Sequence, residues 1–367
     1  MKRQRKLHDN IFAESARDFF AIDAANAQSF LEAIKNPYVG NKKKLLYDIG
    51  MNTYDTVEWQ KINTVCDLFA GSSVVGAFFK KLGKQVTSNE LLLSSYMHGK
   101  SLLCAYDTQI EEKDWEYICC NTNKRNDYFV AKNWGEKRFT LDECTFLDNY
   151  YANVIDVYGA DKYDISFCVC MSMILQFVME NCFLGGRLNN GQILAAKDHR
   201  IAHARNQGSA MNFRNLENRK ISVSNGNAQI NHGDAIEFLR SNKQNIDLFY
   251  IDPPYGGDQS DYAQMYQFCE EYVNRMPFSQ IEYLQINSKK FTKNKSYVDS
   301  FHELLKALPT NAIWLFSYNN SSWASVEEIE NCLKKYKTDI IIKPINYSYK
   351  QRELNNEKGV EYLIYGI

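Results

Sequence analysis

The tetrapeptide Asp252-Pro253-Pro254-Tyr255 contains the residue types that point most directly to chemistry. It follows the apolar run 246–251, which predicts a buried strand, so we expect its side chains to be held rigidly at the end of a sheet. The two prolines lack N–H groups, so carbonyl oxygens dominate the main-chain polarity nearby. The Asp252 carboxylate and the Pro253 carbonyl could accept both hydrogens of an exocyclic amine, and Tyr255 could stack on an extruded base. The alternative is a proline turn that only ends a strand.

Two such acceptors would direct the lone pair of the amine nitrogen towards an electrophilic methyl group. A methyl group on a sulfonium is already activated, so neither a metal ion nor a covalent nucleophile is required. Much of the rate would come from positioning the two reactants in line. The ten cysteines include no Cys-x-x-Cys pair, and we expect no zinc site and no other metal site.

Three other predicted strands also end at residues that could bind a ligand. The run 64–69 is followed by Ala70-Gly71-Ser72-Ser73, where glycine lets the backbone approach a ligand closely. The run 85–88 ends at Glu90, which could hydrogen-bond a ribose diol or serve as an acid in the first turn of a helix. The run 228–231 ends near Asp234, which could accept from an adenine amino group or only cap a helix.

The elements that position these residues alternate between strand and helix. Further apolar runs occupy 312–316, 339–343 and 361–365, and helix-like stretches occupy 74–82, 297–308 and 325–336. This alternation predicts an α/β fold with a doubly wound, Rossmann-like parallel sheet, which binds ligands at the carboxyl ends of its strands. The last two runs predict an antiparallel hairpin at the C-terminal end of the sheet.

Residues 106–222 interrupt this alternation, and we interpret them as an inserted, mostly helical domain. Residues 1–105 and 223–367 would together form the other domain. The segment 184–222 carries seven Lys and Arg residues against two acids, enough for several phosphate contacts. The alternative for this segment is a solvated helix face.

The composition limits the class of protein. Hydrophobic residues make up 45% of the chain, charged residues 24%, and the net charge is -1, so the chain as a whole is not a basic nucleic-acid binder. No apolar run is long enough for a membrane span, and no signal peptide is evident. We therefore expect a cytoplasmic protein that does not associate with membranes.

Taken in order, these motifs resemble one family, the Dam-like (alpha-group) adenine-specific DNA methyltransferases of bacteria and phages, and within it the members related to the FokI methylase. Tyr38-Val39-Gly40-Asn41-Lys42 resembles the first cofactor motif of that family, Phe69-Ala70-Gly71 its glycine motif, and Ser88-Asn89-Glu90 its Ser-Asn-Asp motif. Asp252-Pro253-Pro254-Tyr255 resembles the catalytic motif. Tyr262, Tyr266, Ser317-Tyr318-Asn319-Asn320 and Glu361-Tyr362-Leu363 also fit the family pattern. The resemblance covers about residues 35–105 and 225–367.

The resemblance implies a Rossmann-like methyltransferase sheet that uses S-adenosyl-L-methionine to methylate the exocyclic amino group of a flipped adenine in double-stranded DNA. It assigns Tyr38 and Lys42 to the methionine end of the cofactor, Glu90 to the ribose and Asp234 to the cofactor adenine. The full set of predicted cofactor-binding residues is Tyr38, Gly40, Lys42, Asp67, Phe69, Gly71, Glu90, Asp234 and Ala235. The predicted catalytic residues are Asp252, Pro253, Pro254 and Tyr255.

The resemblance also places the DNA-reading region of the family where residues 106–222 lie, so the inserted domain would be a target-recognition domain. The predicted DNA-binding residues are Arg187, Lys197, Arg200, Arg205 and Arg214. A restriction endonuclease that acts on the same site is a possible partner. Two residues depart from the family pattern. Ser73 stands where a second glycine is usual, which could lower cofactor affinity, and Glu90 stands where aspartate is usual.

Four alternatives remain at this stage. A cytosine exocyclic-amino methyltransferase shares the chemistry, but its motif usually begins with serine where this chain has Asp252. A carbon-5 cytosine methylase needs a cysteine after proline, and none of the six prolines here precedes one. Methylation of protein glutamine uses a related motif that begins with asparagine. The fourth alternative is a DNA-binding protein with an inactive methyltransferase fold.

Overall fold

A computed structural model describes most of the chain. The described residues are 2–34, 38, 40–120, 128–135, 139–179, 227–254, 262–288, 290–291, 296–319, 324–347 and 359–367. Tyr255 and Asn320 lie outside these ranges, as does the basic segment 184–222 with Arg187, Lys197, Arg200, Arg205 and Arg214.

Seven strands of the described residues form one sheet. They are β1 (Thr64–Asp67), β2 (Gln85–Glu90), β3 (Ala228–His232), β4 (Leu248–Ile251), β5 (Ile313–Asn319), β6 (Ile340–Tyr347) and β7 (Gly359–Gly366). Their order is β3-β2-β1-β4-β5-β7-β6, and β1 to β5 are parallel. β7 pairs antiparallel with both β5 and β6. The predicted α/β class, the parallel sheet and the antiparallel terminal pair are confirmed.

The strand order changes direction between β1 and β4. From β1 the chain passes to β2 and β3 on one side, and β4 then pairs with the opposite edge of β1. In open α/β sheets, ligands bind beyond the carboxyl ends of the strands at such a point. The first residues at this position are Asp67, at the end of β1, and Asp252, directly after β4.

Helices follow most of the strands. The first eight are α1 (Lys2–Ala33), α2 (Leu46–Thr56), α3 (Val74–Lys81), α4 (Leu93–Cys104), α5 (Glu112–Cys120), α6 (Phe129–Trp134), α7 (Leu141–Tyr158) and α8 (Ile165–Val178). The remaining helices of the described residues are α9 (Ala235–Ser241), α10 (Tyr262–Met265), α11 (Gln267–Asn274), α12 (Glu282–Asn287), α13 (Ser296–Ala307) and α14 (Val326–Leu333). The helices predicted after β1, before β5 and after β5 are α3, α13 and α14.

The two faces of the sheet are covered by different helices, as expected of a doubly wound sheet. Side chains alternate along each strand, so Val65, Tyr250 and Leu315 share one face. That face packs against α1, α2 and α3. The opposite face, which includes Phe249 and Trp314, packs against α9, α13 and α14. Asp67 and Asp252 are two residues beyond Val65 and Tyr250, so they belong to the face that α1 to α3 cover.

Among the described residues between β2 and β3, α4 is followed by the helices α5 to α8. They share one hydrophobic cluster with α4 and α11, in which Met97 of α4, Phe167 and Ile174 of α8 and Tyr272 of α11 are buried. The division of the chain at residues 106 and 222 stays a prediction. In the part of the chain that the structure describes, no helix has both the length and the apolar character needed to cross a membrane.

Candidate active site

Asp252 occupies the carboxyl end of β4, where its carboxylate meets the side chain of Lys42. The Lys42 Nζ atom lies 3.0 Å from Asp252 Oδ2 and 3.1 Å from Glu361 Oε1. The Asp252 side chain is 21% exposed, whereas that of Glu361 is 1% exposed. A lysine from before α2 therefore links carboxylates from β4 and β7, and Asp252 keeps an opening to the outside.

The two carboxylates differ in their affinity for protons. Burial raises the pKa of Asp252 to about 6, with the Lys42 ammonium opposing this rise and the Glu361 charge adding to it. Burial also acts to raise the pKa of Glu361, but Lys42 and hydrogen bonds from Ser317 and Asn319 outweigh it, so that pKa lies below its usual range. Ser317 Oγ donates to Glu361 Oε1 at 2.6 Å. Well above a pH of about 6, the site thus contains two carboxylates around one ammonium.

Glu90 ends β2 and is held by main-chain groups. Its Oε2 atom accepts from the Gly71 N–H at 2.6 Å and its Oε1 atom from the Leu92 N–H at 2.9 Å. Burial raises the pKa of Glu90 to about 7, although both hydrogen bonds oppose the rise. Gly71 has φ +48°, a left-handed conformation that favours glycine, and the position where a Cβ would stand faces open space. A ligand can approach the backbone there.

Asp67 ends β1 on the same face of the sheet as Asp252. It is 1% exposed, and its Oδ2 atom accepts from the Gly76 N–H in the first turn of α3 at 2.9 Å. Burial raises the pKa of Asp67 to about 7, and the nearby charges of Asp252 and Glu90 act in the same direction. Asp67 therefore fixes the start of α3 at the point where the strand order changes.

The structure brings out a role for Asn89 that the sequence analysis did not assign. Its amide nitrogen donates to the Gly233 carbonyl at 3.1 Å and to the Leu68 carbonyl at 3.4 Å, and its oxygen accepts from the Asn231 amide at 2.8 Å. Asn89 thereby joins the carboxyl ends of β1, β2 and β3. Its position next to Glu90 in the motif was the signal available in the sequence.

Asp234 acts as a helix cap in the structure. Its Oδ1 atom accepts from the N–H groups of Ile236 and Glu237 in the first turn of α9, whereas Lys290 Nζ lies 3.2 Å from its Oδ2 atom. Ala235 is buried as the first residue of α9. The capping alternative is thus confirmed, and a contact of Asp234 with adenine stays a prediction.

Phe69 lies on the loop after β1, beyond the carboxyl end of the sheet. Its ring meets that of Phe291 edge to face, with centroids 5.2 Å apart. The two rings form an apolar contact that could border a nucleobase.

Tyr38 and Gly40 of the predicted cofactor motif lie against two tyrosines, Tyr266 and Tyr262 respectively. The ring of Tyr38 is buried, and its centroid lies 5.0 Å from that of the His98 ring and 5.3 Å from that of the Tyr266 ring. Gly40 has φ +77°, and a Cβ at that position would stand 2.9 Å from the Tyr262 hydroxyl. Only glycine fits this approach without strain. The negative charge of Asp252 adds to burial in raising the pKa of Tyr262, which indicates that the phenol lies near the carboxylate.

Several predicted site residues thus meet at one end of the sheet. Lys42 contacts Asp252 and Gly71 contacts Glu90, while Pro253 is buried and Pro254 half-buried next to Asp252. Glu361 and Ser317 were predicted only as parts of family-like motifs, without a role. A glutamate that occurs in the apolar strand β7 was the signal that could have identified the first of them.

Comparisons with known proteins give the family of the chain and several relatives. The family model for D12 class N6 adenine-specific DNA methyltransferases matches residues 38–330. The Type II methyltransferase M2.HphI of Haemophilus parahaemolyticus is 26% identical over 344 residues, which cover 89% of this chain and 95% of that protein.

Two further relatives are similar at a comparable level. The modification methylase StsI of Streptococcus sanguinis is 26% identical over 351 residues, which cover 90% of this chain and 51% of the methylase. The chain therefore spans about half the length of StsI. The Type II methyltransferase M.NlaIII of Neisseria lactamica is 23% identical over 337 residues, which cover 83% of this chain and 90% of that protein.

Proposed function

Because the chain belongs to the D12 class of N6 adenine-specific DNA methyltransferases, we propose that it transfers a methyl group from S-adenosyl-L-methionine to the amino group of an adenine flipped out of double-stranded DNA. The observation that carries the proposal is the Asp252 carboxylate, held by Lys42 at the carboxyl end of β4 with part of its surface open. The family of the chain favours adenine over cytosine as the target.

The residues around Glu90 fit the cofactor. A carboxylate at the end of β2 is a suitable acceptor for the two hydroxyl groups of a ribose, and the open space beside Gly71 lets a ligand lie against the backbone. Phe69 would border the cofactor adenine, and Asp234 with Ala235 would lie near it. Asp67, Tyr38, Gly40 and Lys42 would form the boundary towards the methionine end. When bound, the cofactor supplies an electrophilic methyl group on a sulfonium.

The catalytic residues act on the amine by accepting hydrogen bonds. Asp252 and the Pro253 carbonyl would each accept one hydrogen, which directs the nitrogen lone pair at the methyl carbon. The amine nitrogen would gain the methyl group that the cofactor sulfur gives up, and the proton that the nitrogen loses would go to the Asp252 carboxylate. Pro254 would keep the turn rigid, and Tyr255 would stack on the flipped adenine. Positioning of the two reactants supplies much of the rate.

DNA would be bound by the inserted residues 106–222, in which the basic segment offers Arg187, Lys197, Arg200, Arg205 and Arg214 to phosphates. Arg200→Ala and Arg214→Ala should each weaken DNA binding and reduce the salt slope of the binding constant by about 1. Arg240→Ala, at an exposed arginine of α9, is the matched control. An unchanged slope in both test variants would remove the basic segment from the interface.

The proposed function is tested by incubating purified protein and duplex DNA with S-adenosyl-L-methionine labelled in the methyl group. We expect the label in N6-methyladenine after digestion of the DNA to nucleosides. Sequencing of host DNA with modification detection would give the target site, and resistance of that DNA to a co-encoded endonuclease would identify the partner. Label in cytosine alone, or in no base, would contradict the proposal.

A further inference from the structure

Glu361 is a buried acid in a strand whose neighbouring inward positions are apolar. It shares a face of β7 with Leu363 and Tyr365, both of which pack in the core beneath α1 to α3. An apolar residue at position 361 would cost less to bury than a carboxylate does. The cost is offset by Ser317, which donates to Glu361 Oε1, and by Lys42, whose Nζ atom lies 3.1 Å from the same oxygen.

The arrangement gives Lys42 two anionic partners on different strands. Glu361 is opposite Asn319 in the β5–β7 pairing, so it projects at the same end of the sheet as Asp252. The ammonium binds the Oδ2 atom of Asp252 and the Oε1 atom of Glu361 at nearly equal distances, 3.0 and 3.1 Å. Because Glu361 is a second anionic partner, the ammonium is not paired with Asp252 alone.

We propose that Glu361 is a positioning residue for methyl transfer, which holds the Lys42 ammonium on the Oδ2 side of Asp252 so that Oδ1 is presented to the target amine. The inference rests on the proposed function. Without the Glu361 charge, the Lys42 ammonium would bind Asp252 more strongly, and the amine would have to compete with the ammonium for the carboxylate.

The same arrangement predicts opposite changes in the pH dependence. Among the described residues, the charged and titratable groups that interact with Asp252 are Lys42, Glu361, Asp67, Tyr250 and Tyr262. Lys42 favours the ionised carboxylate, whereas Glu361 disfavours it. Loss of the Lys42 charge should therefore raise the pKa of Asp252, and loss of the Glu361 charge should lower it.

The test measures single-turnover methyl transfer as a function of pH, at saturating cofactor and DNA, for the wild type, Glu361→Gln, Lys42→Met and the double variant. Glutamine retains the shape of the side chain and can still accept from Ser317. Since misplacement of a catalytic group by about 1 Å can cost about 100-fold, we expect Glu361→Gln to lower the rate about 10- to 100-fold. The acidic limb of the pH–rate profile should move to lower pH in Glu361→Gln and to higher pH in Lys42→Met.

The double variant separates positioning from a general structural role. If Glu361 acts through Lys42, the Glu361→Gln change should cost little in the Lys42→Met background, so the two effects are not additive. Ser317→Ala removes one hydrogen bond to Glu361 without a change of charge. It should lower the rate of methyl transfer less than Glu361→Gln does and leave the acidic limb of the pH–rate profile where it is. Glu327→Gln, at an exposed acid of α14, is the matched control and should behave as the wild type.

A wild-type rate and profile in Glu361→Gln would overturn the inference, as would an equal loss in both backgrounds. Either result leaves the proposed function intact if the wild-type protein labels adenine. Absence of adenine labelling by the wild type would overturn both.

Discussion

Glu90 and Asp252 are carboxylates at the same end of one sheet, but they are stabilised in different ways. Two backbone N–H groups bind Glu90, from Gly71 and Leu92, whereas a side-chain ammonium, that of Lys42, binds Asp252. Backbone donors are fixed by the fold, while a lysine side chain can shift by rotation about its bonds. The Glu90 carboxylate is therefore fixed by the backbone, whereas the position of Asp252 depends on a side chain that Glu361 also contacts.

The largest expected effect separates chemistry from binding. Asp252→Ala should lower methyl transfer by about 10³-fold or more, because the amine loses its anionic acceptor in the transition state. The dissociation constant for S-adenosyl-L-methionine should stay within about threefold, since the Glu90 region is untouched. Single-turnover labelling and a cofactor titration measure the two quantities.

Asp252→Asn is the matched variant for that experiment, because it keeps the volume of the side chain and removes the charge. It should lose activity nearly as severely as Asp252→Ala. Normal turnover in either variant would show that the carboxylate is not the acceptor. The separation of a binding role at Glu90 from a chemical role at Asp252 would then be wrong.

The converse change should affect binding more than chemistry. Under the proposed function, Glu90→Gln would replace charge-assisted hydrogen bonds to the ribose with neutral ones. We expect a loss of about 1.5 kcal/mol or more, so cofactor affinity should fall about 10- to 100-fold. The rate at saturating cofactor should change by less than about threefold. A cofactor titration measures the affinity, and the dependence of the rate on cofactor concentration gives the saturated rate. A large fall in the saturated rate with unchanged affinity would place Glu90 in the chemical step instead.

The pH dependence should separate the two carboxylates again. The pKa of Glu90 is raised to about 7 and that of Asp252 to about 6, in both cases by burial. Each group is ionised above its pKa and is needed ionised, so cofactor affinity should fall as the pH drops through about 7, and the saturated rate as it drops through about 6.

Asp67 also has a pKa raised to about 7, so the assignment of the first midpoint needs a variant. In Glu90→Gln, the fall in affinity around pH 7 should largely disappear, while the midpoint of the saturated rate should stay in place. If the fall in affinity around pH 7 persists in this variant, its midpoint is assigned to Asp67 instead.

The same contrast explains which features were predictable from the sequence. Strands β1 to β5 and the residues at their ends follow from local patterns, since an apolar run followed by Glu90 or Asp252 lies within a few positions. The pairing of Lys42 with Glu361 joins residues about 320 positions apart, and no local pattern specifies it. It depends on the antiparallel placement of β7 beside β5, whereas the sequence predicted only the hairpin that β6 and β7 form with each other.

Helix α1 has an apolar stripe that could have been predicted from the sequence but was not. Its buried residues Phe20, Ala24, Ala27 and Leu31 recur at three- and four-residue spacing, the pattern of one helix face. Two of the four are alanines, which makes the apolar stripe weak, and charged residues surround it. The stripe packs against α2 and α3, so the segment for which no role was predicted supports the face of the sheet that bears Asp67 and Asp252.

The smallest predicted effect concerns the backbone of the Glu90 region. Ser73 has φ +56°, a left-handed conformation that costs a non-glycine residue about 1 kcal/mol or more, and glycine is usual at this position in the family that the sequence resembles. Its Oγ atom is buried with no hydrogen-bond partner among the described residues. Because glycine also loses more entropy on folding, we expect Ser73→Gly to raise the free energy of unfolding by only about 0.5 to 1 kcal/mol, measured by denaturant titration.

Ser72→Gly is the control, since Ser72 does not have a positive φ and glycine there should destabilise the protein. Gly71 and its N–H, which contacts Glu90, are unchanged in Ser73→Gly. The affinity for the cofactor should therefore stay within about twofold of the wild type. A gain in affinity beyond that would mean that the serine distorts the binding loop. A loss of stability would mean that the packing of Ser73 against Gly99 outweighs the backbone strain.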